Sequence, residues 1–120
     1  MTAVRVLLVD DVKEVRQNLR TALTLSGDIE IIGEAADGAE AVRLTETLQP
    51  DAVLMDLEMP VMDGYEATRQ IKSSFSCKVI ALTVHDYESA REKAKLSGVD
   101  AFLVKGAPVK VIVQTILQKE

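Results

Sequence analysis

Hydrophobic positions fall into two kinds of segment that alternate along the chain. Short, β-branched apolar runs occur at Val4 to Val9, Ile29 to Ile32, Ala52 to Met55, Lys78 to Thr83 and Ala101 to Val104. Their near-continuous hydrophobicity, in place of an in-out alternation, predicts five strands covered on both faces, as in a parallel sheet. Helical stripes lie between them. Val12, Val15, Leu19, Ala22 and Leu23 share one face of a first helix, and Gly27 is expected just past its end as the C′ residue. Ala39 to Leu48, stopped before Pro50, predicts a second helix, Tyr65 to Lys72 a third, and Ser89 to Leu96, closed by Gly98, a fourth. Val109, Ile112, Val113, Ile116 and Leu117 give a fifth, with Pro108 where a first helical turn tolerates proline.

Strict alternation of strand and helix with short connections calls for right-handed crossovers and an open, doubly wound α/β sheet. Five such units match a flavodoxin-like (βα)5 domain of strand order 2-1-3-4-5, in which ligands sit beyond the carboxyl ends of the strands. The polar residues that end the strands therefore define the candidate site. The first strand ends in Asp10-Asp11, the third in Asp56, the fourth in Thr83 and the fifth in Lys105.

Composition narrows the function classes. A chain of 120 residues, 48% hydrophobic and 28% charged, suits one ordinary globular domain. Its net charge of -5 argues against direct binding to nucleic-acid backbones. The single cysteine, Cys77, permits no internal disulfide and suits a buried thiol in a reducing compartment. No run approaches the roughly 20 apolar residues that span a bilayer, and a signal-peptide pattern is missing, so a cytoplasmic location without membrane contact is expected.

Three carboxylates gathered at one rim repel one another unless a cation joins them. Mg²⁺ suits a set of hard oxygen donors, and the expected ligands are Asp11, Asp56 and the main-chain carbonyl of Glu58. Asp10 would hold a metal-bound water or orient Asp11. Asp56 would then be free to attack phosphorus as a nucleophile and form an acyl phosphate. Charge spreading over the phosphoryl oxygens needs fixed partners, for which the Lys105 ammonium and the Thr83 hydroxyl are placed. Pro60 would fix the chain after Glu58, and Gly64 would supply a backbone setting closed to other residues, so that the loop wraps the site.

These residues, in this order, carry a resemblance. The acid pair after the first strand, Asp56-Leu57-Glu58-Met59-Pro60-Val61-Met62-Asp63-Gly64, the strand-ending Thr83 and the strand-ending Lys105 resemble the receiver domains of response regulators, over essentially the whole chain. The resemblance implies a phosphoacceptor at Asp56, a metal-binding pair at Asp10 and Asp11, a switch hydroxyl at Thr83 and an aromatic switch position at Phe102. It implies a sensor histidine kinase as phosphodonor, with Lys13, Glu14 and Arg16 as contacts to it, and Glu58 and His85 as residues that tune dephosphorylation. Many such domains follow the lysine directly with proline; here the chain reads Lys105-Gly106-Ala107-Pro108, so a cis peptide after Lys105 is not expected. That variation is similar to regulators with a helix-turn-helix output of the LuxR/NarL type. Homodimerisation on phosphorylation, and DNA contact only through an output domain beyond Glu120, are the corresponding expectations.

Plainer readings exist for each residue taken singly. Asp10 or Asp11 could serve as a helix cap, Phe102 as core, Arg91 and Lys95 as a solvated face, and the methionines as packing. A magnesium-dependent aspartyl-phosphate phosphatase would need a second acid as general acid and usually a cap domain. A flavodoxin would need a neutral phosphate loop where Asp10-Asp11 stands. A receiver that binds partners without phosphorylation is the remaining alternative.

Overall fold

The computed structural model describes residues 3–118, so Glu120, where an output domain was expected to follow, lies outside the described residues. Five strands, β1 (Val4–Val9), β2 (Ile29–Ala35), β3 (Ala52–Met55), β4 (Lys78–Thr83) and β5 (Ala101–Val104), alternate with five helices. These are α1 (Lys13–Thr24), α2 (Gly38–Leu48), α3 (Gly64–Ser74), α4 (Glu88–Ser97) and α5 (Val109–Leu117). All strand pairs are parallel, in the order β2-β1-β3-β4-β5. The expected architecture is therefore the one observed.

Side chains of the central strands alternate between two cores. Leu7, Val9, Val53, Met55, Val79 and Ala81 pack with Ala41 of α2, Ala67 and Ile71 of α3, and Ala94 of α4. Val6, Leu8, Ala52, Leu54, Ile80 and Leu82 face the other way, against Leu23 of α1 and Ile112 and Ile116 of α5. The period of two persists, but both faces are apolar because both are covered. This three-layer packing leaves one place for polar groups of the strands, their ends.

Several boundaries differ from the sequence expectation, each for a local reason. β2 runs three residues beyond Ile32, because a register shift between Val6↔Ile31 and Leu7↔Gly33 lets the strand continue with an extra residue. α2 and α3 begin at Gly38 and Gly64, where Asp37 and Asp63 accept the amides of Glu40 at 2.8 Å and Glu66 at 2.9 Å as N-caps. α1 stops at Thr24, with Leu25 as its C-cap, so Gly27 lies beyond the C′ position although it does take a left-handed φ of 85°. Gly98 ends α4 as expected, at φ 105°. Pro108 stands at the N-cap of α5, its carbonyl accepting from Val111 and Ile112.

Gly64 is needed for a different reason from the expected one. Its φ is ordinary, but a Cβ there would meet the Asp56 carbonyl oxygen at 2.2 Å. The left-handed residue of this loop is Val61, at φ 69°. No peptide bond among the described residues is cis.

Candidate functional site

The carboxyl edge of the sheet gathers the acids. β1 delivers Asp10, whose N–H donates to the Ala35 carbonyl at 3.0 Å, and β3 delivers Asp56, whose N–H donates to the Val9 carbonyl at 2.9 Å. Both are thus extensions of the sheet and share its rigidity. Asp10, Asp11 and Asp56 each offer an oxygen within 4.8 Å of the others, a group that could hold a metal ion. Asp10 and Asp56 are buried while Asp11 is exposed.

Lys105 is the cation of this cluster. Its Nζ lies 2.7 Å from Asp10 Oδ2 and 3.5 Å from Asp56 Oδ2. Burial, opposed by the Lys105 charge and reinforced by Asp10 and Asp11, pushes the Asp56 carboxyl up to about 6. Burial also works against the charge of Lys105, but the hydrogen bond it donates to Asp10 and the charge of Asp56 prevail, and its pKa is raised. Three carboxylates against one ammonium leave an excess of negative charge at this edge.

Thr83, at the end of β4, is 1% exposed. Its carbonyl accepts the Lys105 N–H at 2.7 Å, and its hydroxyl oxygen accepts the His85 N–H at 3.3 Å. The Glu58 N–H donates to Asp56 Oδ1 at 3.2 Å. The Glu58 carboxylate contacts His85 Nδ1, and the His85 ring stacks on Tyr87 with centroids 5.3 Å apart. The two residues expected to flank the reacting group therefore meet each other, one from the loop after β3 and one from the loop after β4. Phe102 on β5 is half-buried against the α2–α4 core, with the Arg91 guanidinium 4.6 Å from its ring centroid. Arg91 also pairs with Asp86, so the solvated face expected for it is in part a clasp over the aromatic.

Neither acid of the pair caps α1 at its N-cap, which is Val12 and lacks a side-chain cap bond. Asp10 Oδ1 instead accepts the Val12 N–H at 2.9 Å, stabilising the turn that leads into the helix. Lys13 and Glu14 are exposed, but Arg16, grouped with them as a kinase contact, points inward to the Asp10 carbonyl and to Glu34. Nothing in the sequence marks that inward course except its place five residues after Asp11. Within the described residues no helix is long and apolar enough to cross a membrane.

The chain is similar to known proteins. Transcriptional regulatory protein LiaR of Bacillus subtilis is 54% identical over 81 residues, which are 67% of this chain and 38% of LiaR. Response regulator protein VraR of Staphylococcus aureus is 40% identical over 114 residues, 94% of this chain and 54% of VraR. The chain thus spans about half the length of these relatives, or less. Among solved structures, the signal receiver domain of a NarL response regulator from Mycobacterium tuberculosis superposes with a TM-score of 0.94 at 34% identity, covering 98% of this chain and 95% of that one. A DNA-binding response regulator of the LuxR family from Staphylococcus aureus superposes with a TM-score of 0.88 at 32% identity, covering 94% of this chain and 95% of that one. With the family model of the response regulator receiver domain matching residues 6–117, the chain belongs to the response regulator receiver domains.

Proposed function

We propose that this receiver domain takes a phosphoryl group from the phosphohistidine of a sensor histidine kinase onto Asp56, with Mg²⁺ as cofactor, and thereby switches an output that controls transcription. The observation that carries this reading is the convergence of Asp10, Asp11 and Asp56 with Lys105 at the carboxyl edge of β1, β3 and β5. An Asp56 oxygen attacks phosphorus while the P–N bond to the donor imidazole breaks, the electron pair leaving on that ring. The Lys105 ammonium, shared between Asp10 and Asp56, is within reach to donate to a phosphoryl oxygen on Asp56. Thr83 turns its hydroxyl from the His85 N–H to donate to another.

Mg²⁺ fits the donor set, which consists of hard carboxylate oxygens in negative excess. Asp11, Asp56 and the Glu58 carbonyl would hold it, with Asp10 orienting Asp11 or a bound water. Its chemistry there is to neutralise charge as the phosphoryl group approaches.

Turning of Thr83 opens space into which Phe102 rotates, and the surface of α4, β5 and α5 changes with it. Glu58 and His85, in contact beside the reacting carboxylate, set how readily water attacks the phospho-Asp56. The domain acts on itself only, by phosphorylation and dephosphorylation. Lys13 and Glu14, exposed at the start of α1, meet the kinase, the phosphorylated form dimerises, and DNA is bound by an output domain outside residues 1–120.

Incubation with acetyl phosphate and Mg²⁺ followed by intact mass measurement tests this. The wild type should gain about 80 Da and Asp56→Asn nothing. Absence of the gain in wild type, or its persistence in Asp56→Asn, removes the proposal.

A further inference from the structure

All polar atoms of Asp10 are engaged. Its N–H donates to Ala35, Oδ1 accepts from Val12, Oδ2 meets the Lys105 ammonium, and its carbonyl oxygen accepts from Arg16 Nη1 at 2.6 Å. The last of these partners comes from the first turns of α1. Arg16 Nε donates in turn to Glu34 Oε1 on β2 at 3.0 Å, while Glu34 Oε2 accepts Arg20 Nε at 2.7 Å. The Arg16 side chain is only 14% exposed. Burial works against the Glu34 charge, but Arg20 and Arg16 outweigh it and hold its carboxyl below the usual range. One planar guanidinium therefore joins β2 to the peptide between Asp10 and Asp11. α1 has no side-chain cap of its own at Val12, so this bridge ties the helix to the loop that carries the acids.

We propose that Arg16 is a positioning residue for the phosphorylation site: through the Asp10 carbonyl it fixes the Asp10–Asp11 peptide, and so the aim of the Asp11 carboxylate, with Glu34 as its seat. The anchoring stands on geometry alone, and its consequence for chemistry rests on the phosphoacceptor reading given above. The fork is essential, because a lysine at this position keeps the charge but reaches only one of the two oxygens. Asp11 is the exposed member of the trio and its side chain has no protein partner among the hydrogen bonds and ion pairs of the described residues, so its direction depends on the backbone that bears it. Orienting partners of this kind typically matter by roughly ten-fold to a hundred-fold.

Two measurements on Arg16→Lys, Glu34→Ala and Arg20→Ala decide it. In metal-free protein, exchange of the Asp10 and Val12 amide protons is followed by NMR, with thermal melting as a check on folding. Exchange should quicken about ten-fold in Arg16→Lys, less in Glu34→Ala, and stay near wild type in Arg20→Ala, which shares Glu34 but does not touch Asp10. With Mg²⁺ and acetyl phosphate, the rate of phosphorylation should fall about ten-fold in Arg16→Lys. Should that variant fail to fold, Glu34→Ala carries the same comparison. Unchanged exchange overturns the anchoring; quickened exchange with an unchanged phosphorylation rate overturns its role at the site. A wild type that is never phosphorylated defeats the phosphoacceptor reading instead, while the exchange contrast still decides the anchoring.

Discussion

Asp56 is held where a carboxylate is least at ease, under a pKa pushed up to about 6 by burial and by its acidic neighbours. An unfolded aspartate titrates near 3.9, so the folded state binds this proton more tightly than the unfolded state does. The stability linked to it is fully present below about pH 4 and is lost as pH rises through about 6. Two units correspond to about 3 kcal/mol, and residual contact of the carboxyl with solvent brings the expected effect to about 2 kcal/mol. Asp56→Asn, which cannot ionise, should therefore stabilise the metal-free protein by about that amount at pH 7.5 and by little at pH 4. Denaturant unfolding in EDTA at both values measures it, and an equal gain at the two would contradict the assignment. The site is thus strained in charge before any ligand arrives, a strain that the proposed phosphoryl group and its cation would relieve.

At the scale of elements, the loop from β3 to α3 shows how such a site is shaped. Val61 is 86% exposed and left-handed, which costs a β-branched residue about 1–2 kcal/mol. Val61→Gly should raise stability by about 0.5–1 kcal/mol after the greater chain entropy of glycine is subtracted; a denaturation midpoint that fails to rise would refute the strain. α4 holds β5 in a comparable way, through Arg91 over Phe102. Removing the guanidinium in Arg91→Ala takes away about 0.5–1 kcal/mol from the ring in its present position, so the population turned inward in the proposed switch should grow about two- to five-fold. Ring NMR signals of Phe102 report that population, and an unmoved one would free Arg91 of any part in the proposed switch. Elements of this kind were unequally legible. The apolar stripes of α1 and α5 and the strand-ending polar residues were readable because each follows from periodicity or from the rule that α/β sites lie at strand ends. β2 was read short because Gly33 and Glu34 break its apolar run, and a shift in register is invisible in one sequence. The starts of α2 and α3 were missed by a residue although Asp37-Gly38 and Asp63-Gly64 each precede a glutamate at the third helical position. Arg16 and Arg91 look like surface cations in the sequence because what they touch, Asp10 and Phe102, lies on other elements.

For the molecule as a whole, the two cores and the acidic edge divide the labour of stability and response. Apolar side chains on both faces of the sheet fix the strand ends, and fixed ends hold three carboxylates together against their repulsion. A net charge of -5 adds to that repulsion and keeps the domain from polyanions on its own. A divalent cation should therefore stabilise the entire fold and not merely one loop, since it would bind a site that exists only when β1 and β3 are paired. At a Mg²⁺ concentration ten times its dissociation constant, mass action contributes RT ln 11, about 1.4 kcal/mol, or a rise in Tm of roughly 5 °C. The rise should shrink near pH 5, where Asp56 in the metal-free protein is protonated and a bound cation must displace that proton. Asp11→Asn, which removes a carboxylate from the exposed side of the cluster and leaves the cores untouched, should reduce the rise at pH 7.5 without lowering the metal-free Tm. Thermal melts over a Mg²⁺ series at the two pH values measure both effects. A shift independent of pH and of Asp11 would place the cation elsewhere and break the link between the acidic edge and the stability of the sheet.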